Sequence, residues 1–275
     1  ALSGHTLPIE QPLDATLEDA LRLIGSSVTQ GRLQPGEDLA VSLFWQALPG
    51  LASAAPGDLF TVIQLLDDDG QVAAAWEGPP VAWHAASAWQ SGELVRSQQA
   101  IRLPATLPDG SYRLVTGVFD PVSGKRLTAR WGSGPWELVK HSQDTVLLGT
   151  VDVAGREHVM TAPQPQVPLQ AELARVGRLL GYDLPAKEVT PGGALDLTLY
   201  WQAKESTGDR LSVFVHLLDA QGSIIGQSDG EPGNGAFPTS GWVSGETLAD
   251  HRTDGNSVSD YDPEEKRRGI SISLT

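Results

Sequence analysis

The chain has 275 residues, 19 Lys and Arg against 34 Asp and Glu, a formal net charge of −15, no Cys, one Met and eight Trp. The missing thiol excludes disulfide scaffolds, Cys-ligated zinc, iron–sulfur clusters and thiol catalysis. The acidic balance, with no Lys/Arg cluster to offset it, argues against nucleic acid as a partner, and no run approaches the roughly 18 apolar residues of a bilayer-spanning helix.

Thirty Gly and 19 Pro punctuate short apolar runs, the pattern of an all-β protein with many turns. The amino terminus has neither an initiator Met nor a basic segment followed by an apolar run, so it reads as a processed product or a piece of a longer chain. Glu18 to Ile24 reads as a strand or a short amphipathic helical turn ending at Gly25, with strand preferred. Pro35-Gly36 then supplies a tight turn. It leads into Leu39, Val41, Leu43 and Trp45, which alternate with Ala40, Ser42 and Phe44 as a half-buried strand does. After a Pro/Ala/Gly-rich loop, Leu48 to Gly57, a second strand covers Phe60 to Leu66. Asp67, with Gly70 three residues on, closes that strand into a hairpin. Pro108-Asp109-Gly110 turns into the alternating strand Tyr112, Leu114, Thr116, Val118, and Asp120 to Gly124 begins another hairpin.

The same signals then recur. Gly177 to Gly181 repeats Leu21 to Gly25, Pro191-Gly192 repeats Pro35-Gly36, and Leu195 to Ala203 repeats Leu39 to Ala47, all at the offset 201 − 45 = 156. Leu217-Leu218-Asp219 repeats Leu65-Leu66-Asp67, and Trp242 with Gly245-Glu246 repeats Trp89 with Gly92-Glu93. Order, spacing and residue type agree, which predicts a duplicated supersecondary unit. The expected fold is all-β, two tandem immunoglobulin-like β-sandwich domains with the second truncated. The expected boundaries are 1–162 for the first repeat, 163–169 for a linker around Gln164 to Pro168, 170–253 for an incomplete second repeat and 254–275 for an unrelated tail.

Leu179 to Leu184, Thr190 to Ala203, Val213 to Gly222, Pro238 to Trp242 and Tyr112 to Leu127 carry a resemblance over residues 10–253. It is to the carboxyl-terminal β-sandwich repeats of family-39-like membrane glycosyltransferase proteins of filamentous green bacteria. The resemblance implies an accessory role beside a membrane-embedded catalytic part, at an extracytoplasmic or cell-surface location. This segment itself is not membrane-spanning, although the parent protein would be.

From Asp254 the composition changes, and Asp260 to Ile272 (DYDPEEKRRGISI) resembles the switch I segment of elongation factor G-like translational GTPases. In that family the hydroxyl at the Ser271 position approaches the nucleotide magnesium. The role does not carry over, because no GxxxxGK[ST] phosphate loop occurs in the chain. Together the two likenesses imply a join between unrelated coding regions, with the second repeat losing its last strands near Thr253. Ile270, Ile272 and Leu274 alternate with Ser271 and Ser273, so the tail could pair as a substitute strand.

Catalytic signals are weak. His5, His84, His141, His158, His216 and His251 fall in no HxxxH, HExxH or HxH arrangement, and no GxSxG elbow is present. No catalytic residue, metal ligand or cofactor is therefore assigned. Asp67-Asp68-Asp69-Gly70 resembles an oxygen-ligand calcium loop, but the second repeat keeps only Asp219 and has Ala220-Gln221 in place of the others, so a hairpin turn explains both. Trp45 and Trp201 end apolar strand faces and read as core. Trp76 and Trp83 flank Pro79-Pro80, Trp89 and Trp242 precede Gly-Glu, and Trp131 and Trp136 sit in a Gly/Pro loop. Trp76, Trp83, Trp89 and Trp242 are the candidate ligand-binding residues, since exposed aromatic faces stack sugar rings. The expected function is a non-catalytic accessory or interaction module with a glycan or an envelope protein as partner. The rival is a carbohydrate-binding module.

Overall fold

The fold comes from a computed structural model that describes residues 8–54, 57–131, 143–173, 175–186, 193–254 and 269–274. Trp136, His5, His141, the Pro191-Gly192 turn and the tail from Gly255 to Arg268 lie outside the described residues. The structure is all-β and divides into two compact units, one running to Gly155 apart from Pro104–Thr106, the other from Arg156 onward.

The first unit contains β1 (Gln11–Leu17), β2 (Leu21–Val28), β3 (Arg32–Leu33), β4 (Asp38–Ala47), β5 (Phe60–Leu66), β6 (Val72–Gly78), β7 (Leu94–Arg102), β8 (Gly110–Phe119), β9 (Ala129–Trp131) and β10 (Val146–Val153). One sheet has the order β7-β4-β2-β1-β9, the other β3-β10-β8-β5-β6. Period-two alternation turns Leu39, Val41, Leu43 and Trp45 inward from the first sheet, and they meet Ile63, Leu65, Leu114 and Val118 of the second in one apolar core. This is a β-sandwich. In the segment Glu18 to Ile24, Glu18, Asp19 and Ala20 form a tight turn after β1, Ala20 N donating to Leu17 O at 3.2 Å, and Leu21 to Ile24 are the start of strand β2. The Pro/Ala/Gly-rich loop contains one four-residue helical turn, Leu51–Ala54.

The second unit contains β11 (Val167–Leu173), β12 (Gly177–Asp183), β13 (Leu195–Ala203), β14 (Ser212–Leu218), β15 (Ile224–Gly230), β16 (Thr247–Asp254) and β17 (Gly269–Leu274). Its sheets run β11-β12-β13-β16 and β15-β14-β17. Leu179, Leu197, Leu199, Trp201, Val213, Val215, Trp242 and Leu248 form its core.

The two units share irregularities as well as strands. The β1–β2 ladder shifts register between Pro12 and Ala15, and the β11–β12 ladder shifts between Pro168 and Ala171. The β2–β4 ladder shifts between Leu23 and Gly25, and β12–β13 between Leu179 and Gly181. Bulges at matching positions bring a neighbouring strand onto the glycine: a Cβ on Gly25 would lie 3.0 Å from Gln11 O, and one on Gly181, where φ is +152°, would collide with Val167 O.

Two boundaries differ from the sequence reading. β11 begins at Val167, inside the segment read as linker, because Pro168 lies on an edge strand beside a bulge, where its missing N–H is tolerated. Residues from Arg156 pack with the second unit, Thr247 N donating to Val159 O at 2.7 Å and Thr247 Oγ1 to Thr161 O at 2.8 Å.

The units part company at their ends. In the first, β5 pairs antiparallel with β8, which pairs in turn with β10. In the second, the matching neighbour of β14 is β17, and it runs parallel, Val213 opposite Ile270 and Val215 opposite Ile272. Among the described residues β10 has no counterpart there. Leu13, Ala15 and Leu17 face the first core half-buried, buried and buried, whereas Leu169 and Ala171 are exposed and Leu173 half-buried. The same inward face of the same strand is left uncovered.

Candidate functional site

Each unit builds one turn from the Trp-x-x-Gly-Glu pattern. In the first, a 3-10 turn at Ala86–Ala88 delivers Trp89 into the core, and Gly92 N and Ala47 N tie the turn to β4 through Ala47 O and Glu93 O. Glu93 Oε2 accepts Gln90 N at 2.8 Å, and its Oε1 lies 3.0 Å from His84 Nε2. The Gln90 amide, with His84 second, holds the Glu93 carboxyl below its ordinary range. The ionised carboxylate makes His84 Nε2 the donor. Trp89 Nε1 donates to His84 O at 3.1 Å, which fixes the segment on which Trp83 stands.

Of the four candidate tryptophans, one is open. Trp83 is 87% exposed and stacks on His84 at 5.7 Å between ring centres and 17° between planes. His84 in turn lies 6.3 Å from Trp89, so three rings lead from solvent to core. Trp76 is half-buried on β6, its indole lying over Gly78 and packed against the core. Trp89 is buried at 6% exposure and Trp242 at 0%, which corrects the expectation that they could be ligand-stacking faces. A turn context hides this from the sequence, because burial there depends on the 3-10 geometry and shows no alternation. Trp45 and Trp201 are core, as their strand positions predict. Trp131 lies on β9.

In the second unit Trp242 Nε1 donates to Phe237 O at 2.9 Å and the indole packs 6.4 Å from Trp201. Phe237 occupies the place of His84 and Ala236 that of Trp83, so the exposed stack belongs to the first unit alone. Glu246 keeps the turn contact, accepting Val243 N at 3.1 Å, but its side chain is 1% exposed. Arg156 compensates that buried charge with both terminal nitrogens, donates to Gly241 O at 2.9 Å and lies over the Phe237 ring at 5.4 Å. His158 Nδ1 stands 3.1 Å from Glu246 Oε2.

The acidic hairpins are turns in both copies. Asp67 Oδ1 accepts Gln71 N at 2.8 Å, and Asp219 Oδ1 accepts Gln221 N at 2.9 Å and Ser223 N at 2.8 Å. The matched bonding is that of a backbone-capping aspartate. His216 is a half-buried member of β14, opposite Gln227. His251 Nδ1 meets Thr198 Oγ1 at 2.9 Å across the β13–β16 ladder.

Sequence reasoning missed one feature that an inward-facing register exposes. Leu248, Asp250 and Arg252 alternate on β16, and the last two are buried with it: Asp250 Oδ1 lies 2.9 Å from Arg252 Nε, with side-chain exposures of 0% and 1%. In the first unit the corresponding positions on β7 are Ser97 and Gln99. Ser97 Oγ accepts Trp45 Nε1 at 3.1 Å as Asp250 Oδ2 accepts Trp201 Nε1 at 3.4 Å. Gln99 donates to Pro80 O at 3.1 Å as Arg252 donates to Gly230 O and Glu231 O, each at 3.0 Å. One geometry is met once by neutral groups and once by an ion pair.

No protein-family model matches the chain, and no curated protein sequence is significantly similar to it.

Proposed function

We propose that the chain is a non-catalytic, extracytoplasmic interaction module of a larger, glycosyltransferase-like envelope protein. One observation carries the non-catalytic part. The acidic residues repeated between the units, Asp67 with Asp219 and Glu93 with Glu246, each accept a backbone N–H of their own turn. Carboxylates used in this way position loops on a scaffold instead of facing a substrate. The location follows from the resemblance over residues 10–253, and on the same ground we read the second repeat as incomplete and the tail as foreign to it. The parallel β17, standing where the first unit has antiparallel β8, supports that reading. Antibody raised against the chain should label intact cells of the source organism; labelling that requires permeabilised cells overturns the location.

A second reading has its own support. Trp83 presents an indole face held flat by His84, which Glu93 anchors, the arrangement a carbohydrate-stacking residue needs. Soluble glycans should then shift tryptophan fluorescence in the native chain and fail to do so in Trp83→Ala. An unchanged spectrum in the native chain removes this reading and leaves the first standing.

A further inference from the structure

We propose that a cleft between the two sheets of the first unit binds a small neutral polyol, a mono- or disaccharide, at a place separate from Trp83. The cavity holds about 400 Å³ and opens between the start of β1, the end of β2 with the loop after it, and β10. That size lies within the range of small-molecule sites, roughly 300–1,000 Å³. Its floor is apolar, formed by Leu114 and Leu148, each 1% exposed. Its walls are polar: Gln11, Gln30, Thr150 and Asp152.

The backbone is shaped to keep this space. The β8–β10 ladder shifts register between Leu147 and Gly149, and Gly149 has φ +140°, a conformation other residues rarely adopt. A Cβ there would stand 3.8 Å from Gln11 Oε1, so a larger side chain would enter the cleft. Among the described residues the second unit has no equivalent, since it has no counterpart of β10.

The lining selects the ligand class. Arg32, at the mouth, is paired with Asp109, so it offers little unbalanced positive charge to an anion. The chain's charge of −15 opposes a polyanion further. The side chains of Gln11, Thr150 and Asp152 make no hydrogen bond or ion pair among the described residues. An amide, a hydroxyl and a carboxylate together donate to and accept from vicinal hydroxyl groups. Val28, half-buried in the lining, gives the C–H face of a sugar ring an apolar contact above the buried leucines. A cation would meet one carboxylate only, too few oxygens for a hard metal ion.

The test is a heteronuclear NMR titration of the whole chain with glucose, mannose, galactose, maltose and cellobiose. At least one sugar should shift, saturably, the side-chain amides of Gln11 and Gln30 and the backbone amide of Thr150, leaving the Trp83 indole unmoved. Gln11→Leu and Thr150→Val, both at exposed positions, should each weaken that binding about tenfold, the loss expected for one hydrogen bond with a partner left unsatisfied. Trp83→Ala should leave it unchanged, which separates this site from the stacking reading. Shifts confined to the Trp83 indole, no shift with any of the five sugars, or shifts produced by methylammonium and by none of the sugars each overturn the proposal.

Discussion

The Asp250–Arg252 pair offers a sharp test of how the second unit is held together, because the first unit supplies its neutral alternative. Arg252→Gln would remove the guanidinium and leave Asp250 with two acceptor contacts, from Gly233 N at 2.8 Å and Trp201 Nε1 at 3.4 Å. Breaking a buried ion pair on one side costs about 3–5 kcal/mol, since the remaining charge stays desolvated. The double substitution Asp250→Ser with Arg252→Gln installs the combination at Ser97 and Gln99. Its one new defect is the loss of the acceptor for Gly233 N, worth about 1 kcal/mol. Replacing both members of a buried pair is commonly neutral or stabilising, so the double variant should lie within about 1.5 kcal/mol of the native chain. Urea unfolding followed by tryptophan fluorescence gives the energies, and amide exchange in β13 reports the second unit by itself. A single variant that loses less than about 1 kcal/mol, or a double variant as unstable as the single, would refute the reasoning.

Gly181→Ala should destabilise the second unit by more than the ordinary cost of about 1 kcal/mol for a strand perturbation, since it adds a clash with Val167 O to an unfavourable φ; thermal unfolding checks this, and a neutral result contradicts the bulge argument. Glu93 has a folded-state pKa below its unfolded one, so it contributes stability above the unfolded value that disappears as pH falls through the folded value. Glu93→Gln should therefore flatten the acid side of a stability–pH profile of the first unit and leave the alkaline side in shape. Trp242→Ala should cost about 3–5 kcal/mol as a large-to-small change at a fully buried site, whereas Trp83→Ala, at 87% exposure, should stay within about 0.5 kcal/mol; equal melting shifts would show the two wrongly placed.

Strands were legible where one face is buried and the other is not. Leu39 to Trp45 and Leu195 to Trp201 carry large apolar residues at every second position, and the second strand alternates in burial as well, whereas Ser42 and Phe44 on the other face of the first are also buried. The Asp-x-x-Gly turns follow from local hydrogen bonding, so both repeats declare these elements without tertiary information. The burial of Trp89 and Trp242 was not legible, because each enters the core from a 3-10 turn. Nor was the Glu246 site: its counter-charge, Arg156, and its neighbour His158 come from before the second repeat, where no periodicity marks them. The Asp250–Arg252 pair did leave a trace. Two charges in phase with Leu248 on an alternating strand point inward, and only a partner two residues away makes that tolerable.

The repeats also separate what local sequence determines from what distant strands determine. The bulges, the Asp turns and the Trp-Gly-Glu turn recur because each is closed by residues within its own repeat. Burial of the face of β1 recurs only in part. Leu17 has 0% exposure in a unit where β8, β9 and β10 complete the sandwich, and its equivalent Leu173 is half-buried where, among the described residues, one parallel strand takes their place. β17 supplies backbone partners to β14, so the ladder continues and its edge is satisfied. Backbone pairing accepts almost any extended segment, whereas covering a core requires several strands in a fixed register. A substitute strand can thus preserve the sheet of the second unit and still leave the inward side of β11 uncovered.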